Sequence, residues 1–295
     1  MKKIPLVLLA AALVPAAFAA TRSVPSQYST INAAINAAAS GDVISIAAGN
    51  YNQAVVVPAT KSNLTITGAG KTTTRIHVGA NSDAMQVLGS NILVKNLTLE
   101  NTAGAAGAQQ QALYTQGRQL SFNNCLIKGW QDTLQMKQGS QQYFYKCEIW
   151  GSVDFIYDGG TAFIDQCTIK EVRDVGGPIC APATPAGVRG IIFSSCYIAR
   201  ASSAVQDNRS TLCRVWKSPG ECAYINCSMD HLISAKGWLE WDGHENNSRC
   251  AEYNSTWHST GAKIDLSLRA PWVVRLSSDA NYTKSAILGS WNPRL

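Results

Sequence analysis

Histidine is sparse in this 295-residue chain: the four, His77, His231, His244 and His258, are scattered, and no Cys-x-x-Cys pair accompanies them. No zinc-ligand spacing is therefore present, and no metal is expected. Clusters of lysine and arginine are also lacking. The 25 basic and 19 acidic side chains give a formal charge of +6, too dispersed for a nucleic-acid binder but suited to an acidic polymer as partner. After residue 20 no apolar run is long enough to span a bilayer, so no membrane partner is expected. No Pro-rich or Ser-rich linker interrupts the chain, and residues 20–295 read as one domain. Helical periodicity is confined to TINAAINAAAS, residues 30–40, which follows a Ser/Thr start and ends at Gly41.

The first twenty residues, MKKIPLVLLAAALVPAAFAA, combine a basic start, an apolar stretch and an Ala17-Phe18-Ala19 end. This is the pattern of a cleaved secretory signal over residues 1–19, and it places the mature protein outside the cell. Loss of Lys2 and Lys3 lowers the charge from +6 to +4. In a secreted chain, nine cysteines suggest disulfides, with at least one thiol left over.

Five of the cysteines share one six-residue frame: FNNCLI around Cys125, FYKCEI around Cys147, IDQCTI around Cys167, FSSCYI around Cys196 and YINCSM around Cys227. A bulky residue stands three positions before each cysteine, and Ile or Met two after. Successive intervals are 22, 20, 29 and 31 residues. Units of this length, rich in short β-prone segments and punctuated by Gly and Asn, are the mark of a solenoid. The expected fold is all-β, with coils stacked at about 4.8 Å and residues 30–40 as a short helix capping the N-terminal end. Within it the framed cysteines read as small buried hydrophobes, a Cys167 to Cys196 bridge remaining open. The two long intervals require loops, around residues 173–189 and 199–221, expected to wall a groove.

Against this frame two acids stand out. GWQDTLQ, residues 129–135, and GSVDFIY, residues 151–157, each put a carboxylate inside text fit for a buried strand. Asp132 lies seven positions after Cys125, and Asp154 seven after Cys147, so the two occupy equivalent places in consecutive coils. Carboxylates roughly 5 Å apart do not both ionise readily, and such a pair divides into one protonated and one charged group.

These residues carry a family resemblance. GWQDTLQ resembles the GYQDTL motif of pectin methylesterases, and GSVDFIYDGG their GTVDFIFGNA motif. CRVWK, residues 213–217, is similar to GRPWK, and AKGWLEWDG, residues 235–243, to AGWSEW. The four occur in the family's order, and the similarity runs from about Val24 to near the C-terminus. The resemblance implies a right-handed parallel β-helix and a secreted, monomeric enzyme. Its substrate is methyl-esterified homogalacturonan (pectin), and it needs no cofactor. It also implies roles: Asp154 as nucleophile, Asp132 as general acid and base, Gln131 and Gln109 as oxyanion donors, and Arg214 as the partner of the nucleophile. Trp216 and Trp238 match cleft-lining residues, and Trp130 and Phe155 flank the acids as further substrate contacts.

The sequence departs from the family at three points. Three adjacent glutamines, Gln109 to Gln111, compete for one oxyanion position; the 22-residue spacing to Gln131 favours Gln109. CRVW loses the Gly and Pro of GRPW, and a Cys213 to Cys222 bridge is the expected substitute for their rigidity. YDGG adds an acid, Asp158, read as a loop residue. Other outcomes open to such a chain are an esterase or thioesterase acting on a different ester, a non-catalytic pectin-binding relative, and a lyase or polygalacturonase. The last is disfavoured by the lack of a calcium-type carboxylate cluster.

Overall fold

The structure is a computed structural model that describes residues 19–106 and 109–295. The expected signal, residues 1–19, lies outside the described residues except for Ala19. From Thr21 onward the chain winds through three parallel sheets of eleven, nine and eight strands. One coil shows the plan. Leu120–Asn123 belongs to the first sheet, Leu126–Lys128 to the second and Leu134–Met136 to the third, and Gln141–Tyr145 re-enters the first sheet in register with Leu120–Asn123. The architecture is thus the parallel β-helix expected from the repeat.

The cysteine frame has a physical cause at each position. The bulky residue faces inward from the first sheet and stacks on its equivalent one coil away: Phe122 on Phe144 at 4.7 Å, and Phe193 on Tyr224 at 4.4 Å. The residue just before each cysteine, Asn124, Lys146, Gln166, Ser195 or Asn226, takes a positive φ between 51° and 55°, which turns the chain into the second sheet. Cysteine then points into the bend, and Ile127, Ile149, Ile169, Ile198 and Met229 continue the buried interior. All nine cysteines are buried free thiols. The expected Cys213 to Cys222 bridge is therefore not formed, nor is the Cys167 to Cys196 bridge left open above, and packing alone accounts for the framed thiols. The sulfurs of Cys180, Cys213 and Cys222 meet within 4.8 Å in the core, beneath the strand that ends in Arg214.

The N-terminal helix is Ile31–Ala37, capped by Thr30, whose hydroxyl accepts the Ala33 N–H at 3.1 Å. It buries Ile31, Ala34 and Ile35 over the first coil and ends at Ala38, before the expected glycine. A second helix, Lys284–Leu288, has no clear mark in the sequence; Ile287 and Leu288 cover Tyr143, Phe163 and Ile192 on the outer face of the first sheet. Arg294 then donates to the carbonyls of Leu64 and Asn91, so the C-terminal segment ties late coils to early ones. The long intervals are less loop-like than expected. Each contains a strand of the third sheet, Pro178–Pro182 or Thr211–Arg214. Among the described residues no helix is long and apolar enough to cross a membrane.

Candidate active site

Asp132 and Asp154 do not lie in strands. Each sits in the turn from the second sheet to the third, two residues before the strands Leu134–Met136 and Ile156–Asp158, with φ of 62° and 50°. Aspartate tolerates this left-handed conformation better than most residues. The turns are locked by what surrounds them. A Cβ at Gly129 would come within 2.7 Å of the Thr133 hydroxyl, and one at Gly151 within 2.2 Å of the Phe155 Cβ. Hence both motifs read Gly-x-x-Asp followed by a residue that packs on the glycine. The Asp132 N–H donates to the Val153 carbonyl at 3.2 Å, and the Asp154 N–H to Pro178 at 2.7 Å. Leu134 pairs with Ile156, which confirms that the acids are equivalent in adjacent coils.

Arg214 comes from the strand Thr211–Arg214. Cys180 pairs with Cys213, so Ala181 and Arg214 are neighbours on the outer face of the third sheet. The guanidinium Nε donates to both Asp154 oxygens, at 2.8 and 3.1 Å, and an Nη joins Oδ2. Its other surface lies 4.0 Å from the Trp241 ring centroid. Burial pushes the Asp154 carboxyl above its ordinary value, while the bond and charge of Arg214 oppose the rise. Asp132 has no such bond. Burial first and the Asp154 charge second raise it from 3.8 to about 7, with only the more distant Arg214 charge opposing. Two equivalent acids therefore have unequal proton affinities, the pattern that separates an acid from a nucleophile.

Both carboxylates open into a cleft of about 440 Å3 lined by Gln109, Gln111, Gln135, Tyr157, Trp216 and Trp241, among others. The floor is a row of outward residues on the third sheet, in which Gln86, Tyr114, Gln135, Tyr157 and Ala181 stand side by side. Of the expected site residues, the structure brings together Asp132, Asp154, Arg214, Gln109 and Trp216. Trp130 and Gln131 line a separate cavity of about 230 Å3 with Ser152, Val153 and Arg173. Two expectations are overturned. Trp238 is wholly buried, its indole packed edge-on to Tyr224 and Trp272 and its N–H on Glu252, so it presents no face to a sugar. Phe155 is likewise wholly buried, as the wedge on Gly151.

Sequence reasoning missed Trp241, Tyr157 and Gln135; Gln111, a competitor of Gln109 for the oxyanion position, also lines the cleft. For Tyr157 the alternation of an outward strand position was the available signal. Asp158, expected in a loop, is instead the buried last residue of the strand Ile156–Asp158, with φ of 88°; it accepts from Gln135 at 2.8 Å and pairs with Lys137 at 3.0 Å, in keeping with a structural role.

Comparison with known proteins bears on the arrangement. A family model described as Pectinesterase matches residues 19–287. A protein of Daucus carota named pectinesterase is 30% identical over 292 residues, covering 90% of this chain and 91% of that protein. The probable pectinesterase/pectinesterase inhibitor 58 of Arabidopsis thaliana is 30% identical over 276 residues, covering 85% of this chain. The chain spans about half, 48%, of that longer relative. A solved structure of pectin methylesterase from carrot superposes with a TM-score of 0.83 at 27% identity, covering 92% of this chain and 94% of that one.

Proposed function

This chain belongs to the pectinesterase family, and we propose that it is a secreted pectinesterase that converts pectin methyl esters and water to free galacturonate carboxylates and methanol. The observation that carries the reading is the asymmetry of the two acids: Arg214 grips Asp154 through two donors, while Asp132 is left with a pKa of about 7.

In this reaction the ionised Asp154 oxygen attacks the ester carbonyl carbon. Negative charge gathers on the carbonyl oxygen, where Gln109, on the cleft wall, is the expected amide at hand to donate to it. Gln131, next to Asp132 in the chain, is the second amide proposed for that oxygen. As the C–O bond to the methoxy group breaks, protonated Asp132 delivers its proton and methanol departs, leaving an anhydride on Asp154. Asp132, now ionised, takes a proton from water as the water oxygen attacks the anhydride. The galacturonate carboxyl is released, Asp154 returns to carboxylate and Asp132 to acid. Trp216 and Trp241 are the aromatic surfaces available to the sugars. The net positive charge suits an acidic polymer, and residues 20–295 act as one β-helix catalytic domain and as a monomer.

One assay tests the scheme: methanol release from highly methylated pectin by the wild type, Asp154→Asn and Asp132→Asn. Both variants are expected to lose activity by a factor on the order of 100 or more. Near wild-type turnover by either would refute the assignment.

A further inference from the structure

Tyr157 stands where the family motif quoted above has phenylalanine, so the change adds one hydroxyl to the cleft. That hydroxyl accepts the Gln111 side-chain N–H at 2.7 Å. Gln111 precedes the strand Leu113–Thr115, which lies two inter-strand steps from the strand of Tyr157. The two side chains thus bridge about 10 Å across the groove floor. The ring is fixed from a second side by the edge of Trp216, at 5.9 Å between centroids.

A phenol oxygen offers two lone pairs and one hydrogen. Gln111 occupies a lone pair, and no acceptor among the described residues takes the hydrogen. Tyr157 is 7% exposed, so its outlet is the cleft it lines. Burial and then the nearby Asp132 charge push the phenol above its ordinary value, keeping the O–H as a donor at any working pH.

Its place along the groove is also set. Gln109 and Gln111 line the carboxylate cleft, whereas Gln110, between them, lines the next pocket along the third sheet with Asp83 and Gln86. Tyr157 follows Asp154 in the same coil, three inter-strand steps beyond Gln86, so the Tyr157–Gln111 pair belongs to the carboxylate cleft.

We propose that Tyr157 is a specificity-determining residue whose hydroxyl donates to an oxygen of a uronate unit lying in the cleft between Gln111 and Trp216. This deepens the pectinesterase reading and rests on it for the identity of the polymer. A phenylalanine fills the same space and packs on Trp216 equally well; the donor to the sugar and the acceptor for Gln111 are both lost.

Tyr157→Phe is compared with the wild type for methanol release from methylated pectin. Binding of oligogalacturonate is measured by calorimetry in the Asp154→Asn background with and without Tyr157→Phe. Loss of one neutral hydrogen bond to the sugar is expected to raise KM and Kd about 3- to 10-fold, with kcat within about 2-fold and Tm lowered by a few degrees at most through the lost Gln111 bond. Gln111→Ala in the same background is expected to weaken binding as well, and adding Tyr157→Phe to it to cost less than on its own, because the two act as a pair. Unchanged KM and Kd would overturn the proposal, as would a fall in kcat with Kd unchanged. A wild type that releases no methanol while Kd still responds to Tyr157→Phe would instead remove the reaction and leave the sugar contact standing.

Discussion

Asp132→Asn tests the electrostatic reasoning without reference to turnover. Asparagine has nearly the volume of aspartate and tolerates a φ of 62° equally well, so the turn before Leu134 is kept. What disappears is the ionisation. In the folded protein Asp132 is raised from 3.8 to about 7 by burial and the Asp154 charge. The folded state thus holds a proton that the unfolded chain has released. The sign follows: the contribution to stability is fully present below pH 3.8 and is lost as pH rises through about 7. At about 1.4 kcal/mol per pH unit, ionising Asp132 above pH 7 costs the folded protein about 4 kcal/mol. Asp132→Asn is therefore expected to be more stable than the wild type at pH 8 by up to about 4 kcal/mol, a Tm rise of about 5–10 °C for a domain of this size. At pH 4.5 the gain shrinks to about 1 kcal/mol. Paired thermal melts of the two proteins from pH 4.5 to 8 measure it. A variant no more stable at pH 8, or equally stabilised at both ends, would show that Asp132 does not carry the raised proton affinity.

Arg214→Lys keeps the charge but loses the fork that holds both Asp154 oxygens, and kcat is expected to fall about 100-fold or more. In Arg214→Gln both opposing effects on Asp154 are gone. Its pKa rises further, and the acid limb of the pH–rate profile moves to higher pH; a limb that stays in place or moves down contradicts the assignment. The two tryptophans of AKGWLEWDG are expected to separate cleanly. Trp238→Ala loses about 3–5 kcal/mol of stability in denaturant titrations, whereas Trp241→Ala raises KM for pectin with a small change in Tm. Reversal of that pattern would restore Trp238 to the cleft.

Much of the fold was legible because its repeat is written in residues that have no alternative role. The bulky residue of FNNCLI and FYKCEI stacks on its copy, the residue before each cysteine turns the chain, and the spacing follows from winding through three sheets. The equivalence of Asp132 and Asp154 was legible for the same reason, even though both were read as strand residues. An equal offset survives whether the position is a strand or a turn. What could not be read was which side of a strand faces the core. Trp238 and Trp241 are three residues apart in one motif. Only the pairing of Trp238 with Cys213 and of Leu239 with Arg214 puts the first inward with the thiols. Phe155 was misassigned likewise, since its burial depends on Gly151 leaving it room. The helix Lys284–Leu288 is one short turn whose apolar residues act only against the outer face of the first sheet.

Stacking also explains how a repeat yields two unlike acids. Equivalent positions in successive coils would give Asp132 and Asp154 the same surroundings if the coils continued unchanged. The difference comes from direction along the solenoid. The strand Ile156–Asp158, which follows Asp154, is flanked by Pro178–Pro182 and then by Thr211–Arg214, so Arg214 arrives from the far side of Asp154. It is one inter-strand step, about 4.8 Å, nearer to Asp154 than to Asp132. At that range a guanidinium bonds one carboxylate and only acts through space on the other, as the separate causes of the two shifts record. The charged member bonded to the cation then raises its neighbour in turn. The division into a charged and a protonated carboxyl therefore needs no difference between the two turns themselves. It needs one arginine placed off-centre by the order of the coils, which is why changing Arg214 is expected to alter both acids at once.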